Sequence, residues 1–124
     1  MTPNKIRVLL AEDHRIVREG FKFILGAQPD IECVGEAGDG RAGLSAALAL
    51  KPDVVLLDVR LPDMDGFAVA GELAAGTCRA AVIVTSSSDD PLYPARATSS
   101  GARGFVAKHD VCGAALDRLI GKTS

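Results

Sequence analysis

Apolar positions fall along this chain in short unbroken runs, separated by stretches in which they recur every three or four residues. Ile6-Arg7-Val8-Leu9-Leu10-Ala11, Val54-Val55-Leu56-Leu57 and Ala80-Ala81-Val82-Ile83-Val84-Thr85 are such runs. They suit strands buried on both faces, as in a parallel sheet. Ile31 to Glu36 alternates more, as an edge or half-exposed strand does, and Gly104 to Lys108 reads as a short fifth strand ending in a lysine. From His14 to Gln28, Val17, Phe21, Ile24 and Leu25 recur at helical spacing with Arg15, Arg18, Glu19 and Lys22 between them. An amphipathic helix is predicted there, with Pro29 just past its end. Asp39 is suited to cap a second helix, in which Leu44, Ala47 and Leu48 share one face and which Pro52 closes. A loop rich in turn residues, Val59 to Gly66, leads to an Ala-rich helix from Phe67 to Ala75. Pro91 and Pro94 predict a late-starting or irregular fourth helix ending near Gly101, because proline inside a helix removes a backbone hydrogen bond. Asp110 can cap a last helix through Leu119 with Ala114, Ala115 and Leu119 inward, and Gly121 to Ser124 reads as a frayed tail.

Strand and helix thus alternate five times, which predicts an α/β fold: a doubly wound parallel sheet with helices on both faces. Right-handed crossovers leave few topologies. The expected one is the flavodoxin-like (βα)5 arrangement, strand order 2-1-3-4-5, with its switch point between strands one and three. A length of 124 residues allows one core, so residues 1–124 are read as a single domain.

Composition narrows the function. Apolar residues make up 48% and charged residues 24%, and no run approaches the roughly 18 apolar residues of a membrane span. A soluble protein without membrane attachment is expected. Met1 to Lys5 leads into a strand without the basic and then apolar layout of a signal peptide, which predicts a cytoplasmic location. Cys33, Cys78 and Cys112 are odd in number and far apart, and form no metal-binding spacing, so they read as reduced core-filling thiols. With a net charge of −2 and scattered basic residues, the chain lacks the electrostatic footprint of a nucleic-acid binder. Direct contact of this chain with nucleic acid is not expected.

The chemistry gathers at one sheet edge. In the predicted topology Glu12 and Asp13 follow the first strand, Asp58 ends the third, Thr85 the fourth and Lys108 the fifth. Taken singly, each has an ordinary reading: an acid pair at a helix start, a turn residue, a cap, a solvated surface charge. Taken together they describe a site. Three close carboxylates repel one another unless a cation sits among them, and Mg²⁺ suits a site with few protein ligands. Phosphoryl transfer uses such an ion with a lysine, and Asp58 is suited to be the nucleophile that becomes an aspartyl-phosphate. Thr85 and Lys108 would donate to the phosphoryl oxygens.

The segments LLAEDH, VVLLDVRLPDMDG, VIVTSS and GARGFVAK resemble, in order and spacing, the signatures of the receiver domain of two-component response regulators, over nearly the whole chain. HRIVREGF and GEAGDGRAGL look more specifically like the NarL/FixJ-type subfamily. The resemblance implies that Asp58 accepts a phosphoryl group from a sensor histidine kinase. It implies that Asp13 binds Mg²⁺ directly, Glu12 mainly through water, and Arg60 through its backbone carbonyl, alongside Asp58. Thr85 would be the switch hydroxyl, Phe105 the switch aromatic and Lys108 the phosphate-binding lysine. Such a domain assists its own phosphorylation and dephosphorylation and turns over no separate substrate. It controls an output, here expected to be transcription through a helix-turn-helix domain outside these 124 residues, and the resemblance leaves room for a homodimer formed on phosphorylation.

The sequence departs from the family pattern in three places. His109 follows Lys108 where proline, in a cis peptide, is frequent; without proline a cis bond costs roughly 3 kcal/mol, which leaves the isomer open. Arg60 and Ser87, each two residues beyond a site residue, stand where the family tunes the phosphoryl lifetime, and the arginine is unusual. Pro91 and Pro94 fall where the family moves on activation. Two other readings compete with this one. A phosphatase of the haloacid dehalogenase type wants a second aspartate at position 60. A pseudo-receiver, an interaction module that is never phosphorylated, is argued against by the intact acidic set.

Overall fold

In the computed structural model, residues 5–112 together with 114, 115 and 118 are described. Five strands, β1 (Ile6–Ala11), β2 (Ile31–Ala37), β3 (Val54–Asp58), β4 (Ala81–Ser86) and β5 (Gly104–Ala107), form one sheet in the order β2-β1-β3-β4-β5. All four pairings are parallel. Helices α1 (Arg15–Gly26), α2 (Gly40–Leu50), α3 (Gly66–Ala75) and α4 (Tyr93–Ser99) connect successive strands. The flavodoxin-like order is therefore the one expected.

Side chains alternate across the strands and so divide the core in two. Val8, Leu10, Val54, Leu56 and Ile83 pack with Phe21 and Leu25 of α1 on one face. Leu9, Val55, Leu57, Val82 and Val84 pack on the other with Ala47 of α2, Val69 and Leu73 of α3 and Ala97 of α4. Every residue of β3 is buried, since this strand is central and covered on both sides. β2, at the edge, exposes Glu32 and Glu36, and its register against β1 shifts between Val8 and Leu9.

Helix boundaries follow their chemistry. The Asp39 carboxylate accepts the Ala42 amide at 2.7 Å and caps α2. The turn from β4 to α4 is carried by side-chain acceptors: Ser86 Oγ takes the Ser88 amide, Ser88 Oγ the Asp90 amide and Asp90 Oδ1 the Leu92 amide. α4 then starts late, at Tyr93, which puts Pro94 in the first turn, where no backbone donor is missed.

Some expectations need correcting. Ile24 and Leu48 share helical spacing with buried neighbours but lie on the outer flank of α1 and α2, and both are exposed. Cys33 and Cys78 are only half-buried and Cys112 is exposed, so the free thiols do not fill the core. Lys108 stands just past β5 in a 3₁₀ turn, Lys108–Asp110. Ala115 is buried, whereas Ala114 faces outward. Leu119 and the predicted tail lie outside the described residues. The Lys108-His109 peptide is trans, for no cis bond occurs among the described residues.

One contact restricts the loop behind β3. Gly66 is buried against the backbone of the preceding strand, and a Cβ there would overlap the Asp58 carbonyl oxygen. That neighbour is main chain and cannot rotate away. Gly66→Ala is expected to destabilise the fold by about 2 kcal/mol or more, and Asp39→Ala, which loses only a cap, by about 1 kcal/mol. Urea unfolding of both variants measures the difference.

Candidate functional site

The C-terminal ends of β1, β3, β4 and β5 bring five of the expected residues to one edge. β1 runs directly into Glu12, which is 1% exposed, and Asp58 at the end of β3 is 4% exposed. Carboxylates at this depth require partners. Lys108 supplies the charge: its Nζ lies 2.8 Å from Glu12 Oε1 and 3.1 Å from Asp58 Oδ2. Asp58 Oδ1 accepts the Arg60 backbone amide at 3.2 Å. Glu12 Oε2 accepts the His14 amide at 3.0 Å, and the Glu12 carbonyl accepts from the Arg18 guanidinium at 2.6 Å. Both carboxylates are thus held from two sides.

The charge balance is incomplete. Burial pushes the Asp58 carboxyl above its ordinary value, the Glu12 charge adds to the rise, and the Arg60 amide and Lys108 only partly oppose it. Burial works against the Lys108 ammonium, but Glu12 and Asp58 outweigh it and its pKa is raised. One ammonium therefore serves two carboxylates. Glu12 Oε1 is buried, and the partner it meets among the described residues is this shared ammonium. A further cation would answer this imbalance. Glu12, Asp13 and His14 each offer a donor atom, all within 4.8 Å of one another, and this is the potential cation cluster found among the described residues. Its two carboxylates suit a hard, oxygen-seeking ion.

Asp13 is exposed and Asp58 is not in that cluster; Asp58 adjoins it through the Lys108 bridge to Glu12. Thr85 is buried and sits opposite Asp58 in the β3–β4 ladder, with its carbonyl accepting the Val59 amide at 2.9 Å. Arg60 contributes backbone, and its side chain is exposed. Phe105 lies on β5, paired with Val84 of β4. Its ring is half-buried, 6.0 Å from Tyr93, and Tyr93 meets Phe67 edge-on at 5.5 Å. Arg96 closes this column, its guanidinium carbon 4.3 Å from the Phe67 ring centre.

His14 is the site residue that sequence reasoning missed. Its ring nitrogen lies 3.3 Å from Asp13 Oδ1 and 3.5 Å from Glu12 Oε2. The only signal was its position directly after the acid pair, which helical periodicity claimed as a helix start.

Comparison with known proteins gives one consistent answer. The pattern of the family described as response regulator receiver domain matches residues 8–115. The transcriptional regulatory protein LiaR of Bacillus subtilis is 41% identical over 105 residues, covering 83% of this chain and 49% of the relative. The NarL transcriptional regulatory protein of Mycobacterium tuberculosis is 40% identical over 106 residues, 86% of this chain and 49% of the relative. The chain thus spans about half the length of the curated relatives it matches. The solved receiver domain of M. tuberculosis NarL superposes with a TM-score of 0.88 at 37% identity, over 97% of this chain and 100% of that one.

The electrostatics at Asp58 have a consequence for stability. Its folded pKa lies above the ordinary 3.8, so above both values the ionised carboxylate costs the folded state more than the unfolded one. That cost fades as pH falls through the folded pKa. Asp58→Asn is expected to unfold at a higher temperature than the parent chain at pH 7 in chelator, with the gap narrowing as the pH approaches 3.8. Calorimetric melts across that range test the sign.

Proposed function

Because the chain belongs to the response regulator receiver domain family, we propose that it is the phosphorylation-controlled input unit of a two-component system, with Asp58 as phosphoacceptor. The observation that carries this reading is the double hold on the Asp58 carboxylate, by Lys108 on one oxygen and the Arg60 amide on the other, beside an under-neutralised Glu12. Two anchors fix the carboxylate's direction, so a phosphoryl donor meets a nucleophile that has already lost its orientational freedom. One Asp58 oxygen forms a bond to phosphorus as the bond from phosphorus to its donor, an imidazole nitrogen of a sensor kinase, breaks. Lys108 stays within reach and meets the negative charge that the phosphoryl oxygens bring.

Glu12 and Asp13, with Asp58 and the Arg60 carbonyl, are the residues that would hold Mg²⁺. When bound, the ion supplies charge neutralisation that one lysine cannot provide for two carboxylates and a phosphoryl group. Thr85, opposite Asp58 on the neighbouring strand, is read as the switch hydroxyl, and Phe105 on β5 as the aromatic whose position reports the change. The domain assignment, residues 1–124 as one receiver unit, belongs to the same reading. Transcription is the proposed output, by analogy with regulators such as LiaR, through a helix-turn-helix domain outside these residues. No described helix is long and apolar enough to cross a membrane, and a cytoplasmic setting with phosphorylation-dependent pairing of two copies completes the proposal.

Incubation with acetyl phosphate and Mg²⁺, followed by mass spectrometry, is expected to add one phosphoryl group to the parent chain and none to Asp58→Ala. Lys108→Ala is expected to slow the reaction on the order of 100-fold. A parent chain that stays unmodified while binding Mg²⁺ would sink the reading. Partner binding indifferent to both Asp58→Ala and beryllofluoride would favour the pseudo-receiver instead.

A further inference from the structure

The loop after Asp58 is closed at its base and tied at its tip. At the base, the Gly66 amide donates to the Val59 carbonyl at 2.7 Å, and Arg60 and Asp65 form an antiparallel bridge. At the tip, Asp63 reaches across to another element. Its Oδ1 accepts the Gly40 amide at 2.6 Å and its Oδ2 accepts the Arg41 amide at 3.0 Å, the first two amides of α2. Asp39 already caps that helix through the Ala42 amide, so Asp63 is a second acceptor brought from 23 residues away. The fit is close. A Cβ on Gly40 would lie 2.8 Å from Met64 Cβ and 3.1 Å from Asp63 Oδ1, so the loop tip rests directly on the helix start.

We propose that Asp63 is a positioning residue for the phosphoacceptor loop: its carboxylate fastens the tip to α2 and thereby keeps Arg60 where its amide meets Asp58. The two attachments leave the intervening residues little freedom. Without the tip, only the Gly66 amide's bond to the Val59 carbonyl and the Arg60–Asp65 bridge hold the loop, and the Val59–Arg60 peptide that aims the amide at Asp58 is held less firmly. Two carboxylate-to-amide bonds at a helix N-terminus are charge-assisted and favoured by the helix dipole, which makes the tether strong for an exposed residue. In agreement, the Gly40 amide first, against the opposing effect of burial, and then the Arg41 amide hold the Asp63 carboxyl below the usual aspartate range. Asp63 touches none of the reacting groups; it acts through Arg60.

This inference rests on the reading of Asp58 as phosphoacceptor, but its test does not. Amide hydrogen exchange of metal-free Asp63→Ala and Asp63→Asn, each first checked for native circular dichroism, compares the Arg60 amide with those of Gly40 and Arg41. Asn keeps one acceptor and is expected to fall between the parent and Ala. If Asp63 only caps α2, Gly40 and Arg41 exchange faster and Arg60 does not, and the proposal is overturned. If it positions the loop, Arg60 also exchanges faster, and calorimetric titration with Mg²⁺ is expected to give an affinity about tenfold weaker in Asp63→Ala. Failure of the parent chain to accept a phosphoryl group would remove the functional reading and leave the exchange comparison able to decide this one.

Discussion

The ion pairing of one lysine with two buried carboxylates governs this molecule. Glu12 directly follows, and Asp58 ends, a strand whose other residues are almost entirely apolar, so their charges are carried into a region that solvates them poorly. Lys108 arrives from the far side of the sheet, 50 residues beyond Asp58, and only the β2-β1-β3-β4-β5 order brings it there. The interaction is a weak source of stability, because desolvation of the three groups consumes much of what their attraction returns. What it provides is a defined charge state with a standing demand for more positive charge.

The strands could be read from the chain because both faces of the sheet are covered: burial on two sides forces continuous apolar runs, and such runs are unambiguous when bounded by Gly, Pro and acid. Val54 to Asp58 matches its strand residue for residue. The convergence of these side chains at one edge was legible for a related reason. Side chains at the C-terminal ends of parallel strands must converge, so Glu12, Asp58, Thr85 and Lys108 needed only the topology to be placed together. Helix faces were less legible. Ile24 and Leu48 follow the same spacing as their buried neighbours, and nothing in a periodicity distinguishes the centre of an apolar stripe from its margin. Partners formed by backbone amides were not legible at all. The bonds from Gly40 and Arg41 to Asp63, and from His14 to Glu12, involve a donor that every residue but proline carries, and so leave no trace in composition.

Loop and sheet divide the work. The sheet fixes where Asp58 and Thr85 stand through a parallel ladder, and Lys108 directly follows the last paired residue of β5. The loop supplies what the sheet cannot: an amide directed back at the carboxylate that ends the strand before it. Gly66 permits the return by letting main chain lie against main chain.

The column of Phe67, Tyr93 and Phe105 under Arg96 joins the start of α3, the start of α4 and the last strand. Tyr93 is the only tyrosine in the chain, and there is no tryptophan. The protein's near-ultraviolet absorption and emission therefore originate in the middle of this column, one ring away from Phe105. Any rearrangement that reaches Phe105 from the carboxylate edge changes the surroundings of that single chromophore. The chain carries its own optical probe of this column, and no label has to be introduced to follow it.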